Sequence, residues 1–206
     1  MSSRSRILAA IRRHAVPASP LPDLRGDWIH YPDRAARFSE VLSFVGGHPL
    51  RAANRTELEA TVAALPQVAE ARQYVCTVPE LDSALARTLP RSVRVDPTQV
   101  ASPAALDLVD VAIVAGEFAV AENAAVWVTE HPVTHRAVYF LAQHVVLVVS
   151  SRNLIDNMHE AYERIGRFGT GYGLFISGPS KTADIEQSLV ISAHGPRSLT
   201  VVLVDE

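Results

Sequence analysis

VVLVVS, residues 145–150, is a nearly continuous apolar run. A strand with one wet face alternates apolar and polar residues. A short run without alternation suits a strand covered on both faces, as in α/β sheets. Toward the N-terminus, residues 135–142 read as helical. Before them Val109–Ala115, Phe118–Ala121 and Ala124–Thr129 read as strands joined by tight turns. Toward the C-terminus, Asn153–Arg167 reads as a helix, Leu174–Ser177 as a strand and Thr182–Leu189 as a short helix. Ser198–Val204 closes the chain as a strand.

The first half repeats the alternation. Asp33 is placed to cap a helix running to about Val45, with Phe38, Val41, Leu42 and Val45 on one stripe. Gly46-Gly47 stops it. A strand over Pro49–Ala53 follows, then a helix TELEATVAAL capped by Thr56 and ended before Pro66. Tyr74–Val78 is a strand, Pro79–Leu89 a helix with proline in its first turn, and Ser92–Val95 a strand. Alternating helices and strands predict an α/β fold, a layered α/β sandwich. Residues 3–14 read as a short amphipathic helix. Pro17, Pro20, Pro22 and Pro32 then forbid a continuous helix, so residues 1–32 are expected to form a helix and proline-rich arm. Residues 33–206 are expected to form the α/β domain.

Composition excludes several classes. The 206 residues are 48% hydrophobic and 20% charged, with a net charge of -3, which gives no sign of a nucleic-acid binder. The apolar stretch Ile7–Ile11 is too short for a signal-peptide core. Val109–Val128 is interrupted by Asp110, Glu117 and Glu122, so no membrane span is expected. The cytoplasm is the default location. The one cysteine, Cys76, can make neither an intrachain disulfide nor the usual four-cysteine ligand set of an iron–sulfur cluster. No cofactor is therefore expected on this chain.

Three stretches could carry chemistry. In SGPSKTADIEQSLV, residues 177–190, a strand ends in Gly178-Pro179, and Ser180 or Thr182 is expected to cap the next helix. Backbone N–H groups at such a helix start attract a carboxylate or phosphate, and Lys181 adds a positive charge. Plain capping, with Asp184 and Glu186 complementing the helix dipole, explains the same residues. The spacing is not that of a Walker A loop. In GEFAVAENAAVWV, residues 116–128, Glu122-Asn123 makes a turn. A glutamate at the end of a buried strand could be desolvated and serve acid/base work, or could be a simple exposed turn residue. In SAHGPRSL, residues 192–199, His194 stands before Gly195-Pro196 as a candidate acid/base or anion contact; a histidine packed in a turn is the plainer reading. His131 and His135 are spaced four apart, but Pro132, Val133 and Thr134 make a helix doubtful, so no metal site is expected. Cys76 sits in an apolar strand and reads as a buried structural thiol.

The succession AVAEN, SGPSKTADIE and HGPR before a terminal strand resembles the LUD domain of the lactate-utilisation protein C family, most clearly over the C-terminal half. The resemblance implies a largely parallel sheet similar to the sugar-isomerase and CoA-transferase fold. It implies an accessory subunit beside iron–sulfur partner subunits that oxidise L-lactate to pyruvate. The cluster-bearing chains would be those partners, and a homo-oligomer is a further expectation. Glu122, Asp184 and His194 become catalytic candidates. Asn123, Gly178, Pro179, Ser180, Lys181, Thr182 and Gly195 become candidates for holding a small carboxylate or other anion. The family's usual turn is Glu-Thr-Gly, whereas this chain has Glu122-Asn123-Ala124. The alternative is a stand-alone enzyme, CoA-transferase-like or sugar-phosphate-isomerase-like, working through Glu122. A scaffold protein without chemistry is a third reading.

Overall fold

The computed structural model describes residues 2–14, 19–20, 23–24, 26–131, 133, 135–166, 171–183, 189–191 and 195–205. Helix α1, Ser3–Arg13, is capped by the Ser2 side chain and buries none of its residues. Helix α2, Arg34–Phe44, begins where the Asp33 carboxylate accepts from the Ala36 N–H at 2.9 Å. Its Phe38 and Leu42 are fully buried. Strand β1, His48–Ala52, leads into α3, Arg55–Ala63. The cap of α3 is Asn54 rather than Thr56: the Asn54 amide oxygen accepts from the Glu57 N–H at 3.0 Å, and Glu57 reaches back to the Ala53 N–H at 2.8 Å. An asparagine two residues earlier in the chain satisfies the free first-turn donors, so the helix starts sooner than expected.

After α4, Pro66–Ala69, come β2, Gln73–Cys76, α5, Pro79–Thr88, and β3, Val93–Arg94. Beyond a 3₁₀ turn at Pro103–Leu108 come β4, Val111–Ala115, β5, Phe118–Val120, and β6, Ala125–Thr129. Helix α6 covers only Val138–Leu141, and β7 is His144–Ser150. The helix expected from Asn153 starts later. Leu154–Ile155 forms β8 beside β5, and α7 spans Met158–Ile165. Asn157 fixes that start, because its side chain accepts from the N–H groups of His159 and Glu160. Next come β9, Gly173–Ile176, β10, Lys181–Ala183, β11, Leu189–Ile191, and β12, Ser198–Val204.

The helix expected over Thr182–Leu189 is not there at either end. β10 and β11 pair as an antiparallel ribbon, with Thr182 opposite Val190. β-Branched Thr182, Val190 and Ile191 favour extended backbone, and the pairing partner is supplied by the chain itself.

Six strands form one wholly parallel sheet in the order β1-β12-β7-β4-β2-β3. One face carries α3, α4 and α5, whose Leu58, Val62, Val68, Leu81 and Leu85 pack on Ile113, Val146 and Val202. The other face presents Ala112, Val114, Val145, Leu147, Val149 and Val201 to α2 and to Val126 and Val128 of β6. Successive residues of β7 thus enter opposite cores, which is why that strand shows no polar alternation. A second sheet, β8-β5-β6-β9, lies over this face. Gly116, at the β4–β5 link, sits where the layers approach: an added Cβ would stand 2.5 Å from Val126 and 2.7 Å from Val149. Helix α7 covers the outer side of the second sheet through Ala161, Met158 and Ile165, against Phe118 and Val120. The result is the layered α/β sandwich with a largely parallel sheet.

Candidate functional site

The β5–β6 turn is built by backbone hydrogen bonds to β8 and beyond: Ala121 donates to the Ile155 carbonyl and Glu122 to that of Asp156, at 2.9 and 3.0 Å. The Asn123 amide oxygen accepts from the Ala125 N–H at 3.1 Å, an Asx turn. Ala124 takes φ +54, the left-handed geometry that the family's glycine would adopt freely, and its methyl group is fully buried. Glu122 itself is exposed, which matches the turn-residue reading of it and not the desolvated one. Its Oε2 accepts from the Met158 N–H at 2.9 Å. A carboxylate at the first turn of α7 satisfies a free donor and complements the helix dipole.

The Ser177–Ser180 segment follows β9. Gly178 is buried at φ +78, and a Cβ there would lie 2.9 Å from the Val45 carbonyl oxygen, so glycine is required. Ser177 donates through Oγ to the Asn123 carbonyl at 2.7 Å, tying this segment to the Glu122 turn. The Ser180 N–H donates to the Pro196 carbonyl at 3.0 Å, and a Cβ on Gly195 would touch the Ser180 side chain at 3.0 Å. Pro179 is buried and lies by Gly46. Lys181 is exposed on β10. Because Lys181–Ala183 is strand, the helix start expected to present Thr182 and its neighbours to an anion does not exist. Asp184, Glu186 and His194 lie outside the described residues.

Among the described residues, two clefts flank these segments. One, of about 220 Å³, is lined by Phe140, Leu174, Ile176, Gly178, Ser180 and Gly195 among others, and is mainly apolar. The other, of about 480 Å³, is lined by Arg37, Glu40, Val41, Phe44 and Val45 of α2 and its end, with Glu122 and Asn123 opposite. The Ser177–Asn123 hydrogen bond and the Gly178–Val45 contact join their walls. Sequence reading missed α2 entirely as a wall, since its residues match an ordinary amphipathic helix.

It also missed a polar cluster behind Glu122. Asp156 is 1% exposed. Arg34 grips it in a fork, Nε to Oδ1 at 2.9 Å and Nη2 to Oδ2 at 2.7 Å. The Tyr31 N–H donates to Oδ1 at 2.9 Å, and His30 Nδ1 stands 2.9 Å from Oδ2. The guanidinium above all, then the His30 and Tyr31 hydrogen bonds, hold this carboxyl well below the usual range against its burial. The hydrogen bond to Asp156 raises the His30 imidazole in return. Next door, Trp28 stacks on His159 with ring centres 3.5 Å apart, and Asn157 donates to the Ile29 carbonyl at 3.0 Å. These contacts latch the end of the arm to the start of α7. His30, Asp156 and Glu160 place one ligand-type atom each within 4.8 Å of one another. Arg34 already engages both Asp156 oxygens, so the set is an ion-pair network rather than a cation's ligand shell. In the sequence Asp156 falls inside the helix expected from Asn153, so nothing there set it apart.

Cys76 is buried, and that burial pushes its thiol up to about 12. His135 Nε2 lies 3.3 Å from the Val100 carbonyl, and His131 is exposed. Among the described residues no helix is long and apolar enough to cross a membrane.

Comparison with known proteins places this architecture. The chain is 29% identical over 100 residues to lactate utilization protein C of Bacillus pumilus strain SAFR-032, which is 46% of this chain and 42% of that one. With lactate utilization protein C of Shouchella clausii strain KSM-K16 it is 32% identical over 106 residues, covering 48% of this chain and 46% of the relative. The matches therefore span less than half the length of these relatives. The crystal structure of a DUF162 family protein from Deinococcus radiodurans superposes with a TM-score of 0.61 at 20% identity, over 84% of this chain and 98% of that one, which shows a shared fold. A model of the LUD domain matches residues 95–204, more than half of the chain and the whole run from just after β3 through β12. The chain belongs to the LUD domain family.

Proposed function

We propose that the chain serves L-lactate utilisation in the cytoplasm, as an accessory subunit of an iron–sulfur system that oxidises lactate to pyruvate. The observation that carries this reading is the match to relatives named lactate utilization protein C across the LUD region. Oxidising lactate releases two electrons that need a carrier. One buried cysteine cannot ligate a cluster, so the reading puts the iron–sulfur centres on partner subunits. This chain contributes a place for a small carboxylate or similar anion at the Glu122–Asn123 turn, where an exposed carboxylate, an amide and Arg37 share one cleft.

Deleting the gene tests this. Growth on L-lactate as sole carbon source should fail, growth on glucose should persist, and a plasmid copy should restore the first. Unimpaired growth on lactate would sink the reading. The exposure of Glu122 also supports a second reading, a CoA-transferase-like enzyme with Glu122 as nucleophile. Intact-mass analysis after incubation with acetyl-CoA separates the two: a thioester on Glu122 favours the enzyme, and its absence the subunit.

A further inference from the structure

Helix α1 has an apolar side that nothing among the described residues covers. Ile7 and Ile11 are about 60% exposed, Leu8 is exposed beside them, and none of the 11 helix residues is buried. The three share one side at i, i+1 and i+4. Helix α2 has the same length and buries Phe38 and Leu42. Covering the apolar side is what holds most helices in proteins, so α1 calls for a cover from outside the described chain. Its charge says of what kind. Of the 19 Lys and Arg, four sit on α1, at Arg4, Arg6, Arg12 and Arg13; the other 15 face 22 Asp and Glu in the rest of the chain. No acidic residue comes before Asp23. Among the described residues no carboxylate pairs with these four guanidiniums. Positive charge is thus concentrated on α1, and the domain is left acidic. Arg4 stands one turn before Ile7 and Leu8, and Arg12 one turn after Leu8. Arginine stems lie along apolar surface while their heads stay in water, so both can sit at the rim of a buried stripe. Three aliphatic side chains without an aromatic anchor are poor material for a protein interface, and phosphate alone would leave the stripe wet. An anionic lipid surface meets both needs, with acyl chains for the stripe and headgroups for the arginines. At 11 residues α1 is about 16 Å long, too short to cross a bilayer, so it would lie along the surface.

We propose that α1 docks the chain on an anionic membrane surface, with Ile7, Leu8 and Ile11 among the acyl chains and the arginines at the lipid headgroups. Co-sedimentation of the full chain with vesicles of phosphatidylcholine alone, and of an equimolar mixture with phosphatidylglycerol, tests this. The mixed vesicles should take down at least about tenfold more protein than the neutral ones. At about 1 M salt, where the screening length is about 3 Å, that difference should vanish. Ile7→Gln with Ile11→Gln keeps every charge and should cut binding to the mixed vesicles by about tenfold or more. Arg4→Gln with Arg12→Gln keeps the stripe and should cut it by a similar factor of about ten. Neither pair unsettles the domain, since α1 buries none of its residues. Phe44→Ala removes a still more exposed apolar side chain, 88% exposed at the end of α2, and should leave binding as it was. Equal uptake by the two kinds of vesicle, uptake by neither, or binding that survives Ile7→Gln with Ile11→Gln would overturn the proposal. Self-association without lipid that the same pair abolishes would also overturn it, and would make a second copy of the chain the cover.

Discussion

Buried Asp156 has four nitrogens converging on its two oxygens. Breaking a fully buried pair costs about 3–5 kcal/mol, but the Arg34 side chain is 47% exposed and can regain water. Asp156→Asn should therefore cost about 2 kcal/mol in urea unfolding at pH 7. The pH dependence follows from the two shifts. A carboxyl depressed in the folded state stabilises above its unfolded value of about 3.9 and loses that contribution as pH falls below it. A raised imidazole stabilises fully below about 6.5 and loses its share as pH rises through its folded value. The gap between wild type and Asp156→Asn should be widest near pH 5–6, smaller at pH 8, and shrinking below pH 4; a gap independent of pH would show that the ion pairs are not its source. Ala124 gives a second test at this scale. Its left-handed backbone costs a non-glycine about 1–2 kcal/mol, and its buried methyl contributes about 1. Ala124→Gly should therefore stay within about 1 kcal/mol of wild type. Ala125→Gly, buried in β6 with nothing to relieve, should cost about 2. Equal losses at both positions would refute the strain. The Glu-Asn-Ala turn was legible as a departure from its family, but which of its residues carried the strain was not, because φ is set by the β5–β6 pairing.

At the level of elements, strands buried on both faces were the most legible. The apolar run of β7 announces its sheet because it is short and rich in β-branched valine, which suits a strand covered on both faces. The segment after Gly178 misled for the opposite reason. Ser180, Thr182, Asp184 and Glu186 have the residue types of a capped helix start, and local pattern cannot see that Leu189–Ile191 offers a pairing partner. Helix α1 separates the two kinds of information again. Its pattern gives a helix correctly, with Ile7 and Ile11 on one side, but both are about 60% exposed, and among the described residues nothing buries them. Removing residues 2–13 should leave the melting temperature within about 2 °C of the full chain, since burial carries helix stability in proteins. A fall of more than 5 °C would mean that α1 packs on the domain after all.

The whole molecule divides its work between two layers: the parallel sheet supplies a rigid core, and the second sheet delivers the Glu122 turn and the Ser177–Gly178 segment to the end of α2. Fold and family were legible from motifs spread along the C-terminal half. The site was legible only in part, since α2 meets the Glu122 turn across nearly eighty residues of chain and no local pattern records that meeting. The function turns on whether this chain works beside an electron carrier. The most direct measurement is to purify the tagged chain from lactate-grown cells of its own source, identify what accompanies it, and assay the eluate for lactate-dependent dye reduction. A cysteine-rich iron–sulfur protein in the eluate, with dye reduction that depends on L-lactate, is the expected result. Recovery of the chain alone, with no lactate-dependent reduction, would contradict it.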